Sequence, residues 1–276
     1  MDRTRREPPS PESVIPLRAH PGPMAWTARE MDRQLSRQSL WLRESWTWLL
    51  QGHVLKAWAG PGRPTALDVG CGPGFVMEAL APLLDVQGVD IDPEAVAECR
   101  RRGLRATEAD AHSLPFDDGS FDVVYCSFLL LWVKDPVKVV SEMARLSRGW
   151  VACLAEPDLG ARIDFPTELS PLAVIAEGGV RAEGGDPLMG RRLRAVFDAC
   201  GLEAETGVHQ GVWGIDKLRE EADGEWRYLE LTARDEKDRA KLSELRPVWE
   251  RALRDGTLFT YNPVFHAFAR KGGSHR

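Results

Sequence analysis

The chain has 276 residues, 43% hydrophobic and 28% charged, which is enough for one large folded core with elaborations. Its formal net charge of −6 argues against the broad basic surface that nucleic-acid binders carry, so a nucleic-acid partner is not expected. The five cysteines are widely spaced without a C-x-x-C pair, which excludes a disulfide framework and offers no metal-ligand spacing. We therefore expect a reduced, cytoplasmic protein without a bound metal.

The N-terminal residues 1–23 are rich in Arg and Pro and contain no apolar stretch of the kind that a signal peptide needs. We expect them to form a flexible arm, although a strap across the surface fits the sequence equally well. Residues 24–62 are expected to form a helical lid, because Leu, Trp and Met recur at three- and four-residue steps up to residue 58. No run is long enough to predict membrane insertion, and no oligomeric state is predicted.

From residue 65 onward, short apolar runs alternate with helical segments. The predicted strands are 65–69, 85–90, 105–108, 121–127, 150–155, 203–213 and 258–270. The predicted helices between them are 75–83, 93–102, 136–146 and 188–200. This alternation predicts an α/β fold, a Rossmann-like seven-stranded mostly parallel sheet with helices on both faces.

Two segments late in the chain depart from the alternation. Residues 157–187 are predicted to be irregular, and residues 215–256 are strongly charged and helical in pattern. We expect residues 63–276 to form one domain in which these two segments are substrate-facing insertions, because loops commonly carry specificity while the sheet positions the chemistry.

The strongest motif is L-D-V-G-C-G-P-G at residues 67–74, which ends the first strand and begins the first helix. Alternate glycines allow a sharp turn and a close approach to a ligand, and the helix N-terminus offers free N–H groups. A dinucleotide-binding fold would show G-x-G-x-x-G, but here the third glycine comes one residue early and Phe75 takes its place. The motif predicts a nucleotide-type site.

Two carboxylates follow the next two strands. Asp90, in V-D-I-D at residues 89–92, can accept both ribose hydroxyls of a nucleoside, whereas Asp92 before Pro93 suits a helix cap. Asp110, in A-D-A-H-S-L-P-F at residues 109–116, can accept the exocyclic amine of adenine. The turn at residues 117–120 then begins the strand S-F-D-V-V-Y.

These four motifs, in this order, resemble those of the class I S-adenosylmethionine-dependent methyltransferases, in particular the small-molecule branch that includes ubiquinone/menaquinone-type methyltransferases. The resemblance covers residues 67–156 well and the final strand more loosely. It implies that the last strand is antiparallel and that S-adenosyl-L-methionine is the cofactor, with S-adenosyl-L-homocysteine as its product. A cofactor-binding set is also implied, namely Asp68, Gly70, Gly72 and Gly74 beside the methionine part, Asp90 at the ribose, Ile91, Asp110 and Ala111 at the adenine, and Ser127 near the sulfonium.

The helix that precedes the sheet is implied to reach the cofactor's carboxylate or amine through Gln38. Its less certain companions are Arg29, Arg33 and Arg37, each of which also fits a solvated helix face.

The acceptor is less well defined than the donor. Many relatives carry His-His after the fourth strand, whereas this chain has Leu129-Leu130-Leu131-Trp132, and the Asn/Asp-Pro-Pro-Tyr signature of amine-directed relatives is missing. This departure favours a small, largely apolar acceptor. The catalytic residues are therefore not assigned, and the weak candidates are His209, Glu156 and Tyr261, followed by Asp158, Arg162 and His20. Trp132, Trp213 and Phe259 could line a substrate cavity, although core packing explains most of the other tryptophans.

The predicted function is transfer of a methyl group to an O, N or C atom of a small-molecule acceptor. In-line displacement from a sulfonium needs mainly positioning and desolvation, and a general base only where the acceptor must lose a proton. One alternative is methylation of RNA or protein, with basic stripes at Arg100–Arg102 and at Arg191, Arg192 and Arg194. Another is a protein that binds the cofactor without turnover.

Overall fold

The computed structural model describes residues 28–209 and 212–272. The predicted arm at residues 1–23 and the candidate His20 lie outside this range. Within it, no helix combines the length and the apolar character needed to cross a membrane.

A seven-stranded sheet forms the centre of the fold. Its strands are β1 (Thr65–Val69), β2 (Asp85–Asp90), β3 (Ala106–Glu108), β4 (Phe121–Cys126), β5 (Ser147–Pro157), β7 (Ala204–Val208) and β9 (Val264–Arg270). They lie in the order β3-β2-β1-β4-β5-β9-β7, and all neighbouring pairs among β1 to β5 are parallel. The last strand, β9, runs antiparallel to both of its neighbours, as predicted.

Helices cover both faces because neighbouring strand residues point to opposite sides. On one face, Leu67, Val124 and Cys153 pack with α4 (Pro136–Leu146) and α6 (Met189–Ala199). On the other, Ala66 and Ala152 pack with α1 (Ala28–His53) and α2 (Phe75–Leu80). A third helix, α3 (Pro93–Arg101), covers the β2–β3 edge. The Rossmann-like fold class is therefore confirmed.

A helical cap with its own apolar core stands beside the sheet. It contains α5 (Pro171–Ala182), α7 (Ile215–Glu220), α8 (Ala222–Thr232) and α9 (Glu236–Asp255). A separate two-stranded sheet, β6 (Ile163–Phe165) with β8 (Phe259–Tyr261), adjoins it. The helical pattern predicted for residues 215–256 is thus divided into three helices, the last of which ends at Gly256 in a left-handed conformation with φ of 74°.

The irregular structure predicted for residues 157–187 is wrong, because β6 and α5 lie within it. The Gly178-Gly179 pair obscured α5 in the sequence, since glycine disfavours helix interiors. Close packing explains the glycine at position 179, because a Cβ there would lie 2.5 Å from the Thr232 carbonyl oxygen on α8.

The predicted strand at residues 203–213 is shorter in the structure, where β7 ends at Val208. The predicted closing strand at residues 258–270 is interrupted at Pro263, which has no N–H to donate, and only its second part, β9, joins the main sheet.

Candidate functional site

The strand order reverses between β1 and β4, and the crevice outside the carboxyl ends of strands at such a point is where open α/β sheets bind ligands. The glycine loop leaves β1 at this point. The N–H groups of Gly70 and Cys71 both donate to the Val89 carbonyl oxygen, at 2.8 and 2.9 Å, which ties the loop to the end of β2. Gly72 has a φ of 51°, and a Cβ added to it would meet nothing within 4 Å. The loop therefore presents its backbone at Gly72 to open space.

Asp90 locks this loop in place. Its Oδ2 accepts the N–H of Gly72 at 2.7 Å, and its Oδ1 accepts the N–H of Asp92 at 2.9 Å. Burial raises the pKa of Asp90, while these N–H groups act in the opposite direction. Each carboxylate oxygen keeps a second lone pair, which can accept a hydroxyl such as those of a ribose. Asp92 instead caps α3 by accepting the N–H of Glu94, as its sequence position suggested.

Polar side chains at the ends of β1 and β4 have hydrogen-bonding capacity left over. Asp68, Tyr125 and Ser127 place buried polar atoms here. Burial raises the pKa of Asp68, although the hydroxyl of Tyr125, which lies opposite Asp68 in the sheet register, is close enough to the carboxylate to lower it. Ser127 Oγ has no hydrogen-bond partner in the described residues. Because buried polar atoms are normally paired, the Ser127 hydroxyl and the remaining hydrogen-bonding capacity of the Asp68 carboxylate fit a polar ligand in the crevice.

The predicted adenine-reading residues follow β2 and β3. Asp110 Oδ1 accepts both the N–H and the ring Nδ1–H of His112, at 2.9 and 2.7 Å. Burial of Asp110 raises its pKa, but the bonds from His112 outweigh this effect and lower it. Both hydrogen bonds use Oδ1, so Oδ2 stays available to an amine. Ile91 is 39% exposed, and Ala111 is half-buried beside the main core.

Helix α1 brings its N-terminal half to the glycine loop. The Ser39 hydroxyl donates to the carbonyl oxygen of Phe75, the residue directly after the loop, at 3.3 Å. Gln38, next to it, is half-buried. Arg37 is already paired with two glutamates of the cap, since it donates to Glu221 and Glu225 at 2.8 and 2.5 Å. Arg33 is exposed, and the side chain of Arg29 lies outside the described part. Gln38 therefore stays the predicted contact from this helix.

Glu156 occupies the end of β5 and is fully buried. Its Oε1 accepts the N–H groups of Leu129 and Leu130 at 2.9 and 2.7 Å, and its Oε2 accepts that of Leu131 at 3.2 Å. Burial raises the pKa of Glu156 to about 8, although the hydrogen bonds from the three N–H groups lower it. Since both oxygens hold the segment that follows Ser127, the geometry favours a positioning role over the predicted catalytic one.

Within the described residues, one group offers metal-ligating atoms within 4.8 Å of one another, namely Cys126, Cys153 and Glu156. The Glu156 oxygens already accept backbone N–H groups, so the geometry favours a structural role for this group as well. All five cysteines are free thiols.

His209 is buried and bonded at both ring nitrogens, to the Ser45 hydroxyl and to the Leu154 carbonyl oxygen, each at 2.6 Å. Because a carbonyl only accepts, Nε2 carries the proton and Nδ1 accepts from Ser45. The ring joins α1 to β5. This geometry favours a structural role for His209 over the catalytic role that the sequence left open.

We expect acid sensitivity from His209 and its neighbour His266. Burial lowers the pKa of His209 below 6.5 and that of His266 to about 4. Between about pH 6.5 and 4 the unfolded chain therefore binds more protons at these sites than the folded chain, so the free energy of unfolding should fall as the pH falls. Urea unfolding at several pH values measures this dependence, and it should be weaker in a His209→Gln/His266→Gln variant. Equal pH dependence in the two proteins would contradict the prediction.

The other acceptor candidates lie nearby. Asp158, buried after β5, pairs with Arg191. Tyr261 lies on β8 opposite Ile163, and Arg162 is buried beside that strand. Of the three aromatic side chains proposed to line a substrate cavity, Trp213 packs on Trp41, while Trp132 and Phe259 are 39% and 38% exposed.

Comparison with known proteins also indicates a methyltransferase domain. Residues 67–153 match the family described as "Methyltransferase domain". The chain is 40% identical over 99 residues to an uncharacterized methyltransferase of Mycobacterium sp. (strain JLS), covering 34% of this chain and 39% of that protein. It is also 40% identical over 94 residues to a ubiquinone biosynthesis O-methyltransferase of Methylococcus capsulatus, covering 30% of this chain and 38% of that protein. The chain thus spans less than two fifths of the length of these relatives.

Among solved structures, a protein of Bacillus halodurans that is provisionally named a methyltransferase superposes with a TM-score of 0.54 at 17% identity, covering 79% of this chain and 97% of that one. This likeness concerns the fold. The family match thus assigns residues 67–153 to a methyltransferase domain, and the likeness in fold extends over 79% of the chain.

Proposed function

We propose that this methyltransferase-domain protein transfers a methyl group from S-adenosyl-L-methionine to an O, N or C atom of a small-molecule acceptor by in-line displacement. The observation that carries the proposal is the Asp90 carboxylate bonded to the N–H of Gly72, beside the open side of that glycine. A nucleoside lying across the strand ends would meet a hydroxyl-accepting carboxylate and an exposed loop backbone together.

Each residue at the crevice would contact a different part of the cofactor. Asp90 would accept the ribose hydroxyls, and Oδ2 of Asp110 with the N–H of Ala111 would read the adenine edge, against Ile91. The Asp68 carboxylate and the unpaired Ser127 Oγ would face the methionine part together with Gly70 and Gly74, and Gln38 would reach it from α1. When bound, S-adenosylmethionine supplies an activated methyl group, so the protein's task is to orient the acceptor and exclude water.

The surface charges support a small acceptor over nucleic acid. The arginines of both basic stripes are largely paired within the protein: Arg101 with Glu98, Arg102 with Glu78, Arg191 with Asp158 and Arg192 with Asp186. Paired arginines offer a weak phosphate-binding surface. The name of the Methylococcus capsulatus relative, a ubiquinone biosynthesis O-methyltransferase, also points to a small molecule.

Gly72→Ala tests the proposed loop contact. The new Cβ would enter the space that the ligand is proposed to fill, so binding of S-adenosylhomocysteine should weaken by about 1–3 kcal/mol, roughly five- to 150-fold. Gly103→Ala is the matched control, because Gly103 also has a positive φ, 78°, and open space around it. Both variants should lose about 1–2 kcal/mol of stability from the left-handed backbone, while only Gly72→Ala loses affinity in calorimetric titration. Equal affinities in the two variants would count against the proposal.

A further inference from the structure

The two-stranded sheet formed by β6 and β8 buries its polar side chains and exposes its apolar ones. Its register pairs are Ile163 with Tyr261, Asp164 with Thr260 and Phe165 with Phe259. Ile163, Phe165 and Phe259 are 55%, 52% and 38% exposed, whereas Arg162 and Asp164 are buried. A sheet with one solvated face normally turns its apolar side inward, so this inverted arrangement indicates that the buried face is specialised for polar contacts.

The inner face holds an incomplete hydrogen-bond network. Arg162 donates through Nε and Nη2 to Asp164, at 2.8 and 2.9 Å, and through Nη2 to Thr260 at 3.2 Å. Its Nη1 is buried with no hydrogen-bond partner in the described residues, and the same holds for Oδ1 of Asn262. Continuing the β6–β8 register by one pair places Asn262 opposite Arg162 on the same face. One donor group and one acceptor are thus left over on the same surface.

The base of this polar face lies beside the end of β5, close to the junction of the cap and the main sheet. Burial lowers the pKa of Arg162, but the ion pair with Asp164 raises it. Tyr228 packs against both the core of the sheet and that of the cap. The N–H of Asp158, just past β5, donates to the Pro263 carbonyl oxygen at 2.9 Å, so the base of the β6–β8 sheet lies at the carboxyl end of β5.

The junction also borders the candidate cofactor crevice. Arg37 on α1 pairs with Glu225 at 2.5 Å, and Ser39 on the same helix donates to the carbonyl oxygen of Phe75 beside the glycine loop. A short stretch of α1 therefore joins the glycine loop to α8 of the cap.

We propose that Arg162 and Asn262 bind the methyl acceptor, and that this acceptor carries a carbonyl-type oxygen next to a hydroxyl or amine hydrogen. The inference rests on the proposed function. Arg162 Nη1 would donate to the oxygen, and Asn262 Oδ1 would accept the hydrogen, which satisfies both leftover groups. Asp164 compensates the charge of Arg162 and Arg37 that of Glu225. Recognition is therefore by directed hydrogen bonds, and a carboxylic acid, a primary or secondary amide, or a carbonyl beside a hydroxyl or amine fits where a hydrocarbon or a bare ammonium does not.

Arg162→Lys is the primary variant, because lysine keeps a cation for Asp164 and removes Nη1. Arg181→Lys is the matched control: Arg181 also pairs with an acid, Glu177, but on the exposed surface of α5. If Arg162→Lys unfolds, as a thermal melt would reveal, the pairwise change Arg162→Met/Asp164→Leu removes both buried charges and leaves neither unpaired.

The experiment supplies the full-length protein with trideuteromethyl S-adenosylmethionine and a mixed metabolite extract, and identifies labelled products by mass spectrometry. We expect the labelled compound to carry the stated oxygen. In Arg162→Lys, KM for that acceptor should rise by about tenfold or more, with KM for S-adenosylmethionine unchanged and the Arg181→Lys control like wild type.

Two outcomes would overturn the inference and leave methyl transfer standing. One is a labelled acceptor without such an oxygen, and the other is an acceptor KM that Arg162→Lys and the pairwise variant leave unchanged. If S-adenosylhomocysteine binds but no compound gains the label, the proposed turnover fails, and this inference fails with it.

Discussion

Replacement of Asp90 by alanine should weaken the binding of S-adenosylhomocysteine by about a hundredfold or more, because hydrogen bonds to a charged group contribute about 1.5–3 kcal/mol each. The variant loses the predicted acceptor of the ribose hydroxyls. It also loses the 2.7 Å bond that fixes the Gly72 N–H, so the loop would no longer be held in its binding conformation. Calorimetric titration of the purified variant measures the loss.

Asp92→Ala is the matched control for Asp90→Ala. Asp92 lies two residues away and caps α3 by accepting the Glu94 N–H at 2.9 Å. Its removal should cost about 1 kcal/mol of stability while leaving the affinity near that of wild type. If the two variants bound the ligand equally well, Asp90 would not be the ribose contact.

Replacement of Glu156 by leucine should destabilise the protein severely. Three N–H groups, of Leu129, Leu130 and Leu131, would lose their acceptor, and each unsatisfied buried group costs about 1–3 kcal/mol. The sum approaches the whole stability of a typical domain, about 5–15 kcal/mol. Urea unfolding monitored by tryptophan fluorescence measures the change in the free energy of unfolding.

Glu142→Leu provides the comparison for Glu156→Leu. Glu142 accepts a single backbone N–H, that of Leu114 at 3.1 Å, and also pairs with Arg145 on the same helix, so a loss of about 1–2 kcal/mol is expected. Glu156→Gln, which keeps one carbonyl oxygen, should fall between the two. A Glu156→Leu protein as stable as Glu142→Leu would show that the segment after β4 does not depend on this carboxylate.

The sequence was most informative where local chemistry determines the structure. Strands β1 and β2 and helix α4 begin and end where the hydrophobic pattern and the capping residues placed them. The glycine loop was found for the same reason, since an unusual backbone path needs glycine, and Asp92 was found because the helix that begins at Pro93 needs a cap. Asp90 was found as the carboxylate at the end of the second strand. The cofactor half of the candidate site could therefore be proposed before any coordinates.

Features that depend on distant partners were not visible in the sequence. Helix α5 was missed because the reason for Gly179 is the carbonyl of Thr232 on another helix. The sequence offered Glu156 as a catalytic candidate, because nothing local reveals that three N–H groups after β4 need its oxygens. The buried polar face of β6 and β8 depends on a pairing between residues about one hundred positions apart, such as Arg162 with Thr260.

Calorimetric titration of S-adenosylhomocysteine into the wild-type protein tests the central claim most directly. The account predicts saturable binding of one ligand per chain, accompanied by a rise in the thermal unfolding temperature. The absence of both binding heat and a thermal shift at high ligand concentration would contradict it.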